Sequence, residues 1–273
     1  MTRSLVVKAG GRTLTSNLDG IAESISRVVR MGFKVVFIHG GGDEVTKYSR
    51  MMGIEPMFVV SPGGVKSRYT SWEELQVYIM VMAGLVNKRV VSALVNRGVN
   101  ALGVTGVDAG LVKAVRKKRI IIVDERGRKR VIEGGYTGKI TEVSLEVLQR
   151  LLAAFEALVI APIALGDEGV PLNVDGDQMA YAIAARLKAE KLVLLTDVEG
   201  VIVDGKVVNV LTPSQAEDLA SRVGAGMNRK LLMAAKSVKE GVGEAVIASG
   251  LGEDPLAKAL KGSGTRIVKA ANT

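Results

Sequence analysis

Along this chain, short apolar runs of strand length alternate with segments whose apolar residues recur at helical spacing. Residues 5–9 form the first run, interrupted by one charged residue, Lys8. Leu18, Ile21, Ile25, Val28 and Val29 then mark one face of a helix that Gly32 stops. Residues 34–38 make a second strand, which runs straight into Gly40, Gly41 and Gly42. A helix begins at Asp43 and ends near Gly53. Residues 57–60 and 65–69 bracket Ser61-Pro62-Gly63-Gly64, a hairpin signal.

Ser71-Trp72-Glu73-Glu74 reads as a capping box opening a long helix towards Gly98. Between residues 77 and 86 that helix is apolar on more than one face, so it is either buried in its own domain or shared with a second copy in a homodimer. Strands follow at 101–104 and 158–164, with a helix opened by Ser144 between them. The basic stretch 116–130 predicts a β-hairpin turning at Asp124-Glu125-Arg126-Gly127. Gly166-Asp167-Glu168-Gly169 signals another hairpin, 178–187 a helix, and 191–196 a strand that delivers Asp197 to a turn. Thr212-Pro213 caps a helix, and Gly224-Ala225-Gly226-Met227 leads into one whose first turn holds Lys230. A strand at 245–248 and the stretch GSGTRIV close the chain. The alternation predicts an α/β fold: a three-layer αβα sandwich around a largely parallel open sheet. Its N-terminal lobe is expected over residues 1–165 and its C-terminal lobe over 166–273.

Composition narrows the chemistry. With 273 residues, 48% of them hydrophobic, the chain can bury a sizeable core. No N-terminal segment has the layout of a signal peptide, and no uninterrupted apolar run reaches the roughly 18 residues of a membrane span. With no cysteine there are no disulfides, thiolate metal sites or cysteine nucleophiles, which fits a reducing cytoplasm. The single histidine, His39, leaves no His-rich metal site. Catalysis is left to Lys, Arg, Asp, Asn and backbone amides. The formal charge of +9 asks for an anionic ligand or an acidic partner. Only 4% of residues are aromatic and no nucleic-acid-binding motif stands out, which argues against nucleic acid.

Two strand exits carry the candidate chemistry. Glycines between a strand and a helix let an anion approach backbone N–H groups at the positive end of a helix dipole. Gly41 and Gly42 make one such exit; a tight structural turn is the alternative reading. Lys8, followed by Gly10 and Gly11, makes the second, and a lysine in an apolar strand either snorkels from the sheet edge or meets an anion. Arg68, on the return strand of the first hairpin, is suited to hold a carboxylate. Asn173 and Asp177 form a polar cluster at a strand–helix junction, where Asp177 could also be a simple dipole partner. Lys230 at a helix start is disfavoured by the dipole unless a phosphate binds there. The basic hairpin is either a charged, aggregation-proof edge or a docking surface for an acidic partner. The stretch GGYTGKI has the wrong spacing for a P-loop, because Ile140 follows Lys139.

Taken together, VVKAGG, HGGG, Arg68 on a hairpin, NVDGD, TDVEG, GAGMNRK and GSGTRI resemble the amino acid kinase family, specifically its acetylglutamate kinase branch, over essentially the full chain. SRYTS, AGLVNKRVV and the basic hairpin are most similar to those members that phosphorylate aminoadipate or glutamate attached to a small acidic amino-group carrier protein in lysine and arginine biosynthesis. The resemblance implies attack of an ionised side-chain carboxylate on the γ-phosphoryl of ATP, giving an acyl phosphate, with Mg2+ held mainly by ATP. It assigns Lys8 and Lys230 to the phosphates and Asp177 to orienting both lysines. Gly10, Gly11, Gly41 and Gly42 supply N–H groups to the phosphoryl oxygens. Arg68 and Asn173, with Gly41 and Gly42, bind the amino-acid substrate, which the N-terminal lobe is expected to hold; Thr196, Asp197, Gly226 and Met227 border the nucleotide in the C-terminal lobe. A homodimer is implied. An N-acetylglutamate kinase and a catalytically silent sensor are the alternatives.

Overall fold

Strands β1 (Ser4–Ala9) and β2 (Lys34–His39) are apolar at most positions and almost wholly buried, as the middle of a parallel sheet requires. In the computed structural model, which describes residues 3–269, they pair in parallel with each other. The sheet is completed by β3 (Ala101–Thr105), β4 (Ala157–Ala161), β5 (Lys191–Thr196), β6 (Val210–Leu211), β7 (Glu244–Ser249) and β8 (Thr265–Val268), in the spatial order β6-β8-β7-β5-β1-β2-β4-β3. Of these pairings only β7–β8 is antiparallel. The expected largely parallel sheet is therefore what forms.

The helices, in chain order, are α1 (Gly11–Arg30), α2 (Gly42–Met51), α3 (Trp72–Val95), α4 (Leu145–Ala154), α5 (Gly176–Leu187), α6 (Pro213–Ala220), α7 (Ala225–Lys239) and α8 (Pro255–Leu260). They divide between the two faces. Leu14, Ile21, Val81, Leu94 and Leu256, from α1, α3 and α8, fill one core. Leu148, Met179, Ile183, Ala216 and Leu231, from α4 to α7, fill the other. Each large side chain so buried contributes about 1.5–3 kcal/mol. Three layers result.

Several local expectations need correction. Helical structure in α1 reaches back to Gly11, but the backbone is non-helical at Asn17, directly before the apolar stripe from Leu18; Leu14, ahead of that kink, is also buried in the core. The run 158–164 is two strands: β4 stops at Ala161, and beyond Pro162 the segment Ile163–Gly166 joins a separate four-stranded sheet with Pro171–Asn173, Val112–Arg116 and Gly138–Val143. Proline has no N–H to continue the ladder, so the chain changes sheets there. The basic stretch is likewise divided. Val112–Arg116 belongs to this second sheet, while Arg119–Val123 and Lys129–Glu133 pair as the hairpin. The hairpin Met57–Val60 with Lys66–Tyr69 forms as expected. At the start of α3, Ser71 Oγ accepts the Glu74 N–H at 3.2 Å, but Glu74 turns to Arg68 instead of completing a capping box. The middle of α3, Met80–Val86, is π-helical. Although no unbroken apolar run in α3 reaches the length of a membrane span, the helix is long enough and, at a mean hydropathy of 1.5, apolar enough to cross a membrane; here Leu75, Val77, Val81 and Val86 are buried.

Candidate active site

Because β1 and β2 are parallel neighbours, their two glycine exits emerge side by side at the carboxyl edge of the sheet, where open α/β sheets hold ligands. Gly10 caps α1 and Gly41 caps α2, and neither helix has a side-chain cap. The first-turn N–H groups of both helices therefore have no intrahelical partner. The turns touch: a Cβ on Gly40 would lie 2.5 Å from the Gly11 nitrogen, and one on Gly11 would lie 2.9 Å from the Gly41 nitrogen. Any side chain at either position would force the two helix starts apart. The result is one place at which two helix dipoles converge, which favours an anion.

Lys8 comes off β1 beside this point. Its Nζ lies 2.9 Å from Asp177 Oδ1, and Lys230 Nζ donates to Asp177 Oδ2 at 3.0 Å. Asp177 sits in the first turn of α5 and is buried between the two ammonium groups. Burial pushes its carboxyl up, but Lys8 and Lys230 outweigh that and hold it well below the usual carboxylate range. Burial likewise pulls Lys8 down, and Asp177 more than restores it, so its ammonium titrates above its ordinary value. Asp177 and Lys8 are therefore both charged at neutral pH. The expectation that Lys230 lies in the first turn of its helix is not met: α7 starts at Ala225, which puts Lys230 in the second turn. Its charge is answered by Asp177, so the dipole conflict does not arise.

Two cavities meet at this triad. One, of about 530 Å³, is lined by Lys8, Gly41, Arg68, Asn173 and Arg229 among others. The second, of about 230 Å³, is lined by Thr196, Asp197, Arg12 and Lys230. Gly10, Gly11 and Gly42 line both. Arg68 is nearly buried and already engaged: it pairs with Glu74 and donates to Gly42 O at 2.8 Å and Thr46 Oγ1 at 2.6 Å. It braces the second glycine exit as well as facing the cavity. Asn173 Nδ2 donates to Thr70 Oγ1 at 2.9 Å. Thr196 Oγ1 donates to Asp197 Oδ1 at 3.1 Å, and Arg12 lies 3.4 Å from Asp197. Gly226 and Met227 line neither cavity; Met227 packs against the core beneath α7.

Three side chains escaped the sequence reading. Asp175 caps α5 through the Gln178 N–H at 2.9 Å and pairs with Arg229, which projects into the larger cavity. Asp175 lies in the NVDGD stretch and Arg229 one residue before Lys230, so proximity to the assigned residues was the available signal. Glu74, the partner of Arg68, stands in the stretch whose sequence reads as a capping box. Among the described residues, no three His, Cys, Asp or Glu side chains cluster as a metal cage.

The sequence matches the amino acid kinase family over residues 3–249. The chain belongs to that family. Among similar members is the LysW-aminoadipate/LysW-glutamate kinase of Saccharolobus solfataricus, 54% identical over 264 residues that cover 96% of this chain and 98% of the relative. The enzyme of the same name from Sulfurisphaera tokodaii is 54% identical over 97% of this chain and its own full length. Solved structures share the amino acid kinase fold. The N-acetylglutamate synthase of Neisseria gonorrhoeae, complexed with coenzyme A and N-acetyl-glutamate, superposes with a TM-score of 0.82 at 26% identity, over 99% of this chain and 61% of that one. Carbamate kinase from Giardia lamblia, at 17% identity over 98% of this chain and 99% of its own, has a TM-score of 0.69 and speaks for the fold alone.

Proposed function

We propose that this chain uses ATP to phosphorylate the side-chain carboxylate of aminoadipate or glutamate carried on LysW, giving an acyl phosphate. The observation that carries the reading is the buried Lys8–Asp177–Lys230 triad, set where two uncapped helix starts converge and two cavities meet. A carboxylate nucleophile is already ionised at neutral pH, so no general base is needed, and the one histidine, His39, is buried with its ring nitrogens set against Gly40 O and Asn87. What the transfer needs is alignment and neutralisation of charge on the moving phosphoryl group. The larger cavity takes the amino acid, with Asn173, Arg68 and Arg229 towards its carboxylate and amide end. The smaller takes the nucleotide beside Thr196 and Asp197. Lys8 and Lys230 contact the phosphates, Asp177 fixes both, and N–H groups of Gly10, Gly11, Gly41 and Gly42 receive the phosphoryl oxygens. Mg2+ rides on the triphosphate, which asks for few protein ligands.

The acidic carrier docks on the basic hairpin beside the larger cavity. Arg128 and Arg130 are paired to Asp124, and Lys118 to Glu168, whereas Arg119, Arg126 and Lys129 are exposed and make no ion pair among the described residues. We assign the substrate to the N-terminal lobe, with Asn173 and Arg229 reaching it from the C-terminal lobe, the nucleotide to the C-terminal lobe, and the reaction to the cytoplasm. A homodimer would be built on the exposed side of α3, around Trp72, Gln76 and Met80. Hydroxylamine trapping of acyl phosphate tests the reaction, with free N-acetylglutamate, N-acetylaminoadipate and the LysW-linked amino acids as acceptors. Preference for the linked acceptors, weakened by salt, is expected. Efficient turnover of free N-acetylglutamate, indifferent to carrier and salt, overturns it in favour of an N-acetylglutamate kinase.

A further inference from the structure

The one histidine of the chain is not part of the triad, yet it ends the strand that opens into the glycine turn. His39 is fully buried, with Nδ1 3.2 Å from the carbonyl oxygen of Gly40 and Nε2 3.3 Å from the amide nitrogen of Asn87. Asn87 follows directly on the π-helical segment of α3. Its Nδ2 also donates to Val159 O at 2.9 Å and lies 3.4 Å from Val104 O, while its Oδ1 accepts from Lys88 Nζ at 3.0 Å. Lys88 donates in turn to Gly103 O at 3.0 Å. A Cβ on Gly103 would lie 2.0 Å from Asn87 Oδ1, so that glycine is what admits the pair.

These contacts leave one consistent assignment of protons. An ammonium group only donates, so Lys88 pins the oxygen of the Asn87 amide, and the NH2 must face His39. Nε2 then accepts, the imidazole proton sits on Nδ1, and Nδ1–H points at the Gly40 carbonyl. Burial, with a smaller push from Lys88, lowers the imidazole to about 4, so the ring is neutral at working pH. Among the described residues, Lys88 is the one charged group that bears on it, and Ala9, its partner in the sheet register, carries none.

We propose that Asn87 is a positioning residue for the phosphoryl cradle, acting through His39 to hold the Gly40–Gly41 peptide in one orientation. In a trans peptide the carbonyl and the N–H point in opposite directions. Fixing the Gly40 carbonyl inward on His39 turns the Gly41 N–H the other way, to the α2 N-terminus and the cavity lined by Gly41. A flipped peptide would present a carbonyl oxygen to an incoming phosphate. Glycines on both sides make that flip easy unless something holds it. The same helix closes the other side: a Cβ on Gly41 would lie 2.7 Å from Met82 Sδ and 3.2 Å from Val86 Cγ2. Strand end, π segment and Asn87 thus clamp the turn from two directions. This role rests on the proposed phosphoryl transfer, but the proton assignment does not.

Because His39 is the only histidine, its ring nitrogens can be observed in the whole protein after labelling with 15N-histidine. The expected spectrum is a neutral ring protonated on Nδ1, unchanged between pH 6 and pH 9. A ring protonated on Nε2, or one titrating near 6.5, overturns the proposal whatever the activity proves to be. The variant Asn87→Asp offers only acceptors, so it should move the proton to Nε2. With the proton goes the hold on Gly40, and kcat should fall at least about 10-fold while KM for the amino acid changes less than about 3-fold. Asn87→Asp with the proton moved and kcat unchanged overturns the positioning role. Should that variant not fold, Asn87→Gln and Asn87→Ser carry the same comparison, with kcat expected to follow the fraction of rings protonated on Nδ1; kcat independent of that fraction overturns the role equally.

Discussion

Replacing Asp177 with asparagine keeps the size of the side chain and removes the charge between two buried ammonium groups. At the contact distances of 2.9 and 3.0 Å, each ion pair is close and poorly screened. Unit charges at 4 Å interact by about 4 kcal/mol at the effective dielectric of a protein site. Desolvation cancels part of that, and removing one partner of a buried pair typically destabilises by about 3–5 kcal/mol. Asp177→Asn should lose stability on that scale. Catalysis should fall roughly 10²–10³-fold, the usual effect of losing one fixed charge or donor at a developing anion. The pH profile separates these effects. In the parent, Asp177 titrates below its ordinary 3.8 and Lys8 above its ordinary 10.5, so the stability they contribute is lost only in acid or in strong alkali. Turnover should be level between about pH 5 and pH 9 as far as the triad is concerned. In the variant the main force raising Lys8 is gone and burial is left to lower it, so a new basic limb should enter the profile. ADP should raise the melting temperature of the variant more than that of the parent, because its phosphates supply part of the missing charge. Hydroxylamine-trapped product and thermal melts with and without ADP measure both. A folded variant with turnover within tenfold of the parent and no basic limb refutes the role given to Asp177.

Arg68→Lys keeps the charge but cannot reach Glu74, Gly42 O and Thr46 together, so KM for the amino acid should rise about tenfold or more by steady-state kinetics; an unchanged KM sinks the assignment. Reversing Arg119 and Lys129 to glutamate should raise KM for LysW-linked acceptor and flatten its salt dependence, while turnover of any free acetylated acceptor stays as it was; equal loss on both acceptors argues against docking there. His39 has a folded pKa of about 4, below its ordinary 6.5, so its contribution to stability is complete above pH 6.5 and is lost as pH falls towards 4. The loss amounts to roughly 3 kcal/mol. Urea midpoints at pH 7 and pH 4.5 should therefore converge for the native chain and His39→Gln, and parallel midpoints would contradict the burial argument.

Much of the site was legible because it is built at strand ends. Lys8-Ala9-Gly10-Gly11 and His39-Gly40-Gly41-Gly42 announce themselves by the contrast between an apolar strand and glycines, and adjacency of β1 and β2 brings them together without any further signal. Partnerships between distant side chains left no such trace. Nothing in the spacing of Arg68 and Glu74 distinguishes a cap from an ion pair, since the choice depends on how the hairpin folds over α3. The fold was readable for the same reason the core was, namely apolar runs of strand length. It failed at Pro162, where one run serves two sheets, and ahead of the kink at Asn17, where Leu14 alone is too little pattern to extend the helix back to Gly11. The position of Lys230 is the instructive case. A helix-dipole argument drew attention to it, but the structure answers its charge with Asp177 instead.

That substitution of partner explains how the site can hold two lysines at once. A pocket for a triphosphate and a carboxylate needs several positive groups close together, and without ligand those groups repel one another. Asp177 supplies one negative charge to both lysines, and Asp175 does the same for Arg229 a turn away. With the cations paired in this way, the lysines share the anion-binding work with groups that carry no net charge: the first-turn N–H groups of α1 and α2, whose N-cap glycines supply no side-chain cap. Such donors are effective only while their peptides keep one orientation. It is there, at the Gly40–Gly41 peptide, that the buried His39 and Asn87 act, and this is why a histidine that takes no part in proton transfer still sits next to the chemistry.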